Sequence, residues 1–156
     1  MIRLKILWPG KTTDPELRSL QDRYLKKINM RAKCELIETK EARGISEKYP
    51  ERILEIEAVH LEKHLKDDFI VCLSDQGKEL RSKEFARFLD KTSARTGKII
   101  TIVVGGFLGI GNVILSKADY LLSLSKMTYS HELCRVMLLE QLYRALSIIQ
   151  RSQYAK

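Results

Sequence analysis

Ile99-Ile100-Thr101-Ile102-Val103-Val104 runs straight into Gly105-Gly106-Phe107-Leu108-Gly109-Ile110-Gly111. A second apolar run, Tyr120-Leu121-Leu122-Ser123-Leu124, stops at Ser125-Lys126-Met127-Thr128-Tyr129-Ser130. Short continuous apolar runs of this kind are expected of strands buried on both faces of a sheet. Each ends in a loop that lets a ligand lie close to backbone. In open α/β sheets ligands bind where such loops gather, at the carboxyl ends of the strands. The active site is therefore expected at these loops.

Outward from this stretch, strands and helices alternate. Ile2, Leu4 and Ile6 alternate with Arg3, Lys5 and Leu7 as in a strand, which Pro9-Gly10-Lys11 breaks. Asp14 is placed to cap a helix with Pro15 at its first position, and Leu17, Leu20, Tyr24, Leu25 and Ile28 form its apolar face. Cys34-Glu35-Leu36-Ile37-Glu38 reads as a strand and the charged run 39–48 as a loop. Pro50 starts a helix carrying Ile53, Leu54, Ile56, Val59, Leu61 and Leu65. Phe69-Ile70-Val71-Cys72-Leu73 is a central strand ending in the turn Ser74-Asp75-Gln76-Gly77-Lys78, after which Ser82 can cap another helix. The alternation predicts an α/β fold: one domain over residues 1–156, with a mostly parallel sheet flanked by helices.

Composition agrees with one domain: 156 residues, 44% hydrophobic and 31% charged, suffice for a single core. No apolar run reaches the ~18 residues of a membrane span, and the N-terminal residues lack the apolar core and cleavage site of a secretion signal. Cys34, Cys72 and Cys134 lie far apart, as reduced thiols do, and a cytoplasmic location is expected. The net charge of +8 is spread along the chain: residues 99–156 hold six basic and three acidic side chains, leaving 22 and 17 for residues 1–98. Such an excess favours nucleic acid and other polyanions, though a soluble basic surface would show it too.

The glycine loop fits neither familiar phosphate motif. A G-x-G-x-x-G reading from Gly109 puts Ile114 at the third glycine, and no glycine precedes Lys-Ser/Thr. The loop is either a place for close ligand approach or a tight turn. His60 and His64 have the spacing of a metal pair without a Glu after His60 or an evident third ligand, so no metal site is expected. In the last helix, capped by Ser130, Glu140, Arg144, Ser147 and Arg151 form a polar stripe. Leu138, Leu139, Leu142, Ala145, Leu146 and Ile149 form an apolar arc wider than one surface helix needs, which predicts a homodimer through this helix. Arg135 projects into that arc and needs a partner. Either it pairs structurally, with Glu132 or a carboxylate of another subunit, or it contacts an anion or a nucleobase.

The same residues carry a family resemblance. Its strongest parts are Val103-Val104-Gly105-Gly106-x-x-Gly109 and Leu122-Ser123-Leu124-Ser125-Lys126-Met127-Thr128-Tyr129-x-His131. Gly10-Lys11, Leu36-Ile37-Glu38 and Leu73-x-x-x-Gly77-Lys78 precede them. Arg135-Val136, Glu140-Gln141-Leu142-Tyr143-Arg144-Ala145 and Tyr154 follow. In this order and spacing the chain resembles, over essentially its whole length, the RlmH-type methyltransferases of the SPOUT class, which modify pseudouridine in 23S ribosomal RNA. The resemblance implies S-adenosylmethionine as methyl donor, held in a C-terminal trefoil knot. It places the cofactor against Leu73, Gly105, Gly106, Leu124, Ser125, Lys126, Met127, Thr128 and Tyr129. It also implies a homodimer whose sites are completed by the partner subunit, and a target at N3 of a pseudouridine in the large subunit or 70S ribosome.

A sulfonium methyl is already activated, so the protein must mainly align donor and acceptor and help the N3 proton leave. Arg135 and His131 are the candidates for holding the base or easing proton loss, and Tyr154 for stacking on or hydrogen-bonding the nucleotide. The family usually ends in Tyr-His and a basic residue, whereas Ala155 and Lys156 follow Tyr154 here; His131 or solvent would replace that histidine. Two other readings compete: a non-catalytic RNA-binding or assembly protein, and a nucleotide-dependent oxidoreductase, which the glycine spacing disfavours.

Overall fold

Alternation along β1 (Arg3–Pro9) sends Leu4, Ile6 and Trp8 to one face of a sheet and Leu7 to the other, and all four are buried. The computed structural model describes residues 1–155. Lys156, part of the tail where the chain departs from the family pattern, lies outside the described residues. β1 is joined by β2 (Lys33–Thr39), β3 (Phe69–Glu79), β4 (Ile100–Val103) and β5 (Tyr120–Ser123) in the order β2-β1-β4-β3-β5, and every pairing is parallel. The expected mostly parallel sheet is present, with the wholly buried β4 at its centre.

Helices α1 (Pro15–Asn29), α3 (Ser82–Thr96) and α5 (His131–Ile149) pack over the face carrying Ile6 and Trp8. Helices α2 (Pro50–Glu62) and the short α4 (Asn112–Leu115) cover the face of Leu7 and Val103. Asp14 caps α1 by accepting from the Glu16 and Leu17 N–H groups, and Ser130 caps α5 by accepting from the Leu133 N–H. Ser82 is no cap. It is the first residue of α3, Glu84 accepts from the Arg81 N–H at 2.7 Å, and the Ser82 hydroxyl donates to Gln141 on α5.

Three further expectations change. The turn after Leu73 does not end the third strand: β3 runs on to Glu79, and residues 74–77 bulge out because Leu122 of β5 pairs with both Leu73 and Lys78. At the neck of the bulge, a Cβ on Gly77 would stand 2.6 Å from the Leu122 carbonyl carbon, so only glycine fits. The buried side of α2 is rotated from the expected one, leaving Val59 57% exposed and burying Glu57. Finally, Leu138, Leu139, Leu142, Ala145 and Leu146 are buried within a single chain, against α1, α3 and the sheet. The wide apolar arc of α5 is filled internally and does not itself require a second subunit.

Candidate functional site

A cleft of about 520 Å³ opens between the bulge of β3 and the ends of β4 and β5, a volume within the usual range of small-molecule sites. Its walls are the 74–77 bulge, the 105–111 loop and the 124–130 segment. The glycine loop folds back on itself: the Gly109 N–H donates to the Gly106 carbonyl at 2.9 Å, and Gly109 has φ +78°, where glycine is at ease. A methyl on Gly105 would overlap the Gly109 backbone. The opposite wall is held by short polar bonds, Ser123 Oγ donating to the Ser125 carbonyl at 2.9 Å and the Met127 N–H donating to Ser125 Oγ at 3.0 Å. Leu73, Val104, Leu115 and Leu124 make the floor apolar, while Phe107, Met127 and Tyr129 stand exposed around the mouth.

Of the residues expected at a cofactor, Leu73, Gly105, Gly106, Leu124, Ser125, Met127, Thr128 and Tyr129 all line this cleft. Lys126 is exposed and is not among the lining side chains. Of the two possibilities left open for the glycine loop, the tight turn is present, and the same loop walls the cleft. His131 lines the cleft too; burial, then the charge of Arg135, hold its imidazole below the ordinary value, so it is mainly neutral at pH 7.

Arg135 is 1% exposed and lies behind the cleft. Its guanidinium donates to the Pro9 carbonyl at 2.7 Å and the Thr12 hydroxyl at 3.1 Å, and it stacks on Trp8 at 4.7 Å. Burial lowers its pKa to about 10, which leaves it charged. The expected hydrogen-bonded pairing with Glu132 is not formed. That carboxylate accepts instead from the Thr13 and Asp14 N–H groups and the Thr13 hydroxyl. Burial would raise Glu132, but those hydrogen bonds outweigh it and hold the carboxyl low.

Tyr154 is elsewhere. Its hydroxyl donates to Glu140 at 2.9 Å, and its ring lies between Tyr143 and Arg144. Glu140 is nine residues beyond His131, ~14 Å along a helix axis, so Tyr154 does not reach the cleft of its own chain.

Sequence reasoning missed Ser74, Asp75 and Gln76 in the bulge, the half-buried Cys134, and above all Glu57. Glu57 is 5% exposed, its Oε1 has no partner, and its carboxylate lies against Gly106. One signal was available: Glu57 stands four residues from both Ile53 and Leu61, on their buried side of the helix. Among the described residues no group of three or more His, Cys, Asp or Glu side chains could hold a metal.

The family model for predicted SPOUT methyltransferases matches residues 2–155. Ribosomal RNA large subunit methyltransferase H of Thermodesulfovibrio yellowstonii is 41% identical over 154 residues, 99% of each chain. The protein of that name from Clostridium botulinum is 36% identical over 159 residues, 99% of this chain and 100% of that one. The chain belongs to the SPOUT methyltransferase family. Among solved structures, a probable methyltransferase from Bordetella pertussis shares the fold at a TM-score of 0.59 and 14% identity, covering 93% of this chain and 96% of that one. A probable methylase family protein from Haemophilus influenzae does so at 0.56 and 16%, covering 99% and 70%. Family membership displaces the oxidoreductase reading.

Proposed function

We propose that this protein methylates N3 of a pseudouridine in 23S ribosomal RNA within the large subunit or 70S ribosome, using S-adenosylmethionine and acting as a homodimer in the cytoplasm. The observation that carries the reading is the cleft between the β3 bulge and the ends of β4 and β5, lined by eight of the nine residues on which the family pattern puts the cofactor. The cleft also suits that group chemically. Apolar side chains at Leu73, Val104 and Leu124 fit an adenine ring, the Ser125 and Thr128 hydroxyls fit polar edges, and backbone at Gly105 and Gly106 carries no side chain to hinder approach. S-adenosylmethionine supplies an activated methyl on sulfur.

This chain's residues must bind and orient. His131, mainly neutral, faces the cleft and can accept a proton or a hydrogen bond. Arg135 fixes the β1 end to α5, and its buried positive charge would favour an anion formed on the base. Tyr154, remote from its own cleft, would serve the partner's site in the homodimer that the family resemblance implies. A C-terminal knot is the threading that family membership implies.

The test is methyl incorporation from labelled S-adenosylmethionine into 70S ribosomes lacking the modification, followed by nucleoside analysis. Labelled 3-methylpseudouridine is expected. Absence of transfer with the cofactor bound would refute catalysis and favour a binding or assembly role.

A further inference from the structure

The 74–77 bulge puts three polar side chains, Ser74, Asp75 and Gln76, into the wall of the cofactor cleft. Among the described residues that line the cleft, Asp75 is the one with a charged side chain. His131 is held low by burial, then by the charge of Arg135, and is mainly neutral; burial pushes the Cys134 thiol up, so it is neutral too. Lys126 stands outside the lining, and Arg135 is buried behind it with Glu132, Glu38 and Glu41 near enough to offset its charge. In a chain of net charge +8 the cleft is thus locally negative. We propose that Asp75 is the counter-charge to the sulfonium of S-adenosylmethionine, and that it makes the cleft hold the methyl donor more tightly than the demethylated product. The assignment rests on the cofactor reading above.

The backbone fixes where Asp75 stands. Leu122 pairs with both Leu73 and Lys78, so the bulge has a set start and end, and Gly77 is locked against the Leu121 and Leu122 backbone. Within it the Gln76 N–H donates to Ser74 Oγ at 3.2 Å, and the Gln76 amide donates to Asp75 Oδ1 at 3.4 Å. Among the described residues no lysine or arginine forms an ion pair with Asp75, which leaves its charge to act on a ligand. Taken as a sphere, 520 Å³ is about 10 Å across. A cation held inside is therefore within roughly one Debye length of the wall that bears Asp75.

S-adenosylmethionine and S-adenosylhomocysteine share the adenine, the ribose and the amino-acid end. The apolar floor and the Ser125 and Thr128 hydroxyls offer both the same contacts. The two differ in one methyl and in the charge on sulfur, positive in the donor and neutral in the product. An opposite charge in a partly open cleft is worth about three- to ten-fold in affinity, and only the sulfonium form gains it. The product gains nothing from Asp75, so the same charge that favours donor binding leaves the product free to go.

The experiment measures dissociation constants by titration calorimetry for S-adenosylmethionine, S-adenosylhomocysteine and sinefungin, which carries an ammonium in place of the methylsulfonium. The proteins are wild type, Asp75→Asn, Asp75→Glu and Glu79→Gln, the last an exposed carboxylate of the same strand outside the lining. Asp75→Asn should bind S-adenosylmethionine and sinefungin about three- to ten-fold more weakly. It should bind S-adenosylhomocysteine as wild type does, which also reports an intact fold. Asp75→Glu and Glu79→Gln should keep the wild-type preference. Added salt should shrink the preference in wild type and leave that of Asp75→Asn unchanged. Equal weakening of all three ligands in Asp75→Asn would overturn the assignment, because the carboxylate would then serve a part of the cofactor that the product shares. So would unchanged affinities, or a loss in Glu79→Gln as large as in Asp75→Asn. Wild type that binds none of the three would overturn the cofactor reading, and this assignment with it.

Discussion

Replacing Gly77 by Ala tests whether the neck of the β3 bulge holds the two cleft walls in register. The added Cβ would stand 2.6 Å from the Leu122 carbonyl carbon, 2.7 Å from that of Leu121 and 2.8 Å from the Leu121 oxygen. All three are backbone atoms of β5, which cannot swing aside as a side-chain tip can. Ordinary contact begins near 3.4 Å, so β3 and β5 must part by ~0.8 Å. Overpacking of this kind costs about 1–3 kcal/mol, and the upper end applies because rigid backbone meets rigid backbone. For a domain of this size that is roughly a 5–12 °C fall in Tm. Separating β5 from β3 also shifts residues 123–129 away from the bulge, so S-adenosylmethionine should bind at least about ten-fold more weakly, a loss of ~1.4 kcal/mol. Gly97→Ala is the matched control. Gly97 has φ +63° with open space around it, so this variant should lose some stability and no cofactor affinity. Thermal unfolding by circular dichroism and titration calorimetry read both quantities. If Gly77→Ala melts within a degree of wild type and binds cofactor normally, the reasoning about the β3–β5 neck is wrong.

Arg135→Met removes the donor to the Pro9 carbonyl and the Thr12 hydroxyl. With each buried acceptor left unmet at ~1–3 kcal/mol, urea unfolding should show a loss of about 2–6 kcal/mol, and methylation should cease. Tyr154→Phe deletes the hydrogen bond to Glu140 and should cost only ~0.5–1.5 kcal/mol of stability; methylation should fall while cofactor affinity holds, if Tyr154 serves the partner's site. Glu57 is raised from 4.5 to about 7, so between those values the folded state binds more protons than the unfolded one. Its contribution to stability therefore declines as pH rises through that window. Denaturation at several pH values should show Glu57→Gln gaining on wild type from about 4.5 to 7, then holding level.

Period and punctuation were enough to reveal the parallel sheet, the Asp14-Pro15 and Ser130 helix starts, and the loops that meet at the cleft. These depend on local backbone preference and on apolar runs, both of which show in a short window. Gly77 and Glu57 depend on neighbours far away in the chain. Nothing near Gly77 announces that Leu121 and Leu122 will pass across it, and the turn signal at residues 74–78 is the same whether a strand ends or bulges there. Glu57 looks like one more carboxylate on a charged helix until packing shows which side is inward. Arg135 was legible as a group in need of a partner, but its partners, a backbone carbonyl and a threonine hydroxyl more than a hundred positions earlier, were not. The α5 arc misled because its cover is shared among α1, α3 and the sheet.

The bond from Arg135 to Pro9 spans 126 positions, and the clasp of Glu132 on Thr13 spans 119. The earliest strand thus waits for the latest helix. At ~5–20 residues per second a ribosome needs roughly 6–25 s to make that intervening length, during which the end of β1 lacks its closure. The nascent chain therefore stays catalytically silent at least until α5 has been synthesised, and any fragment stopping before α5 is a candidate for chaperones or proteases.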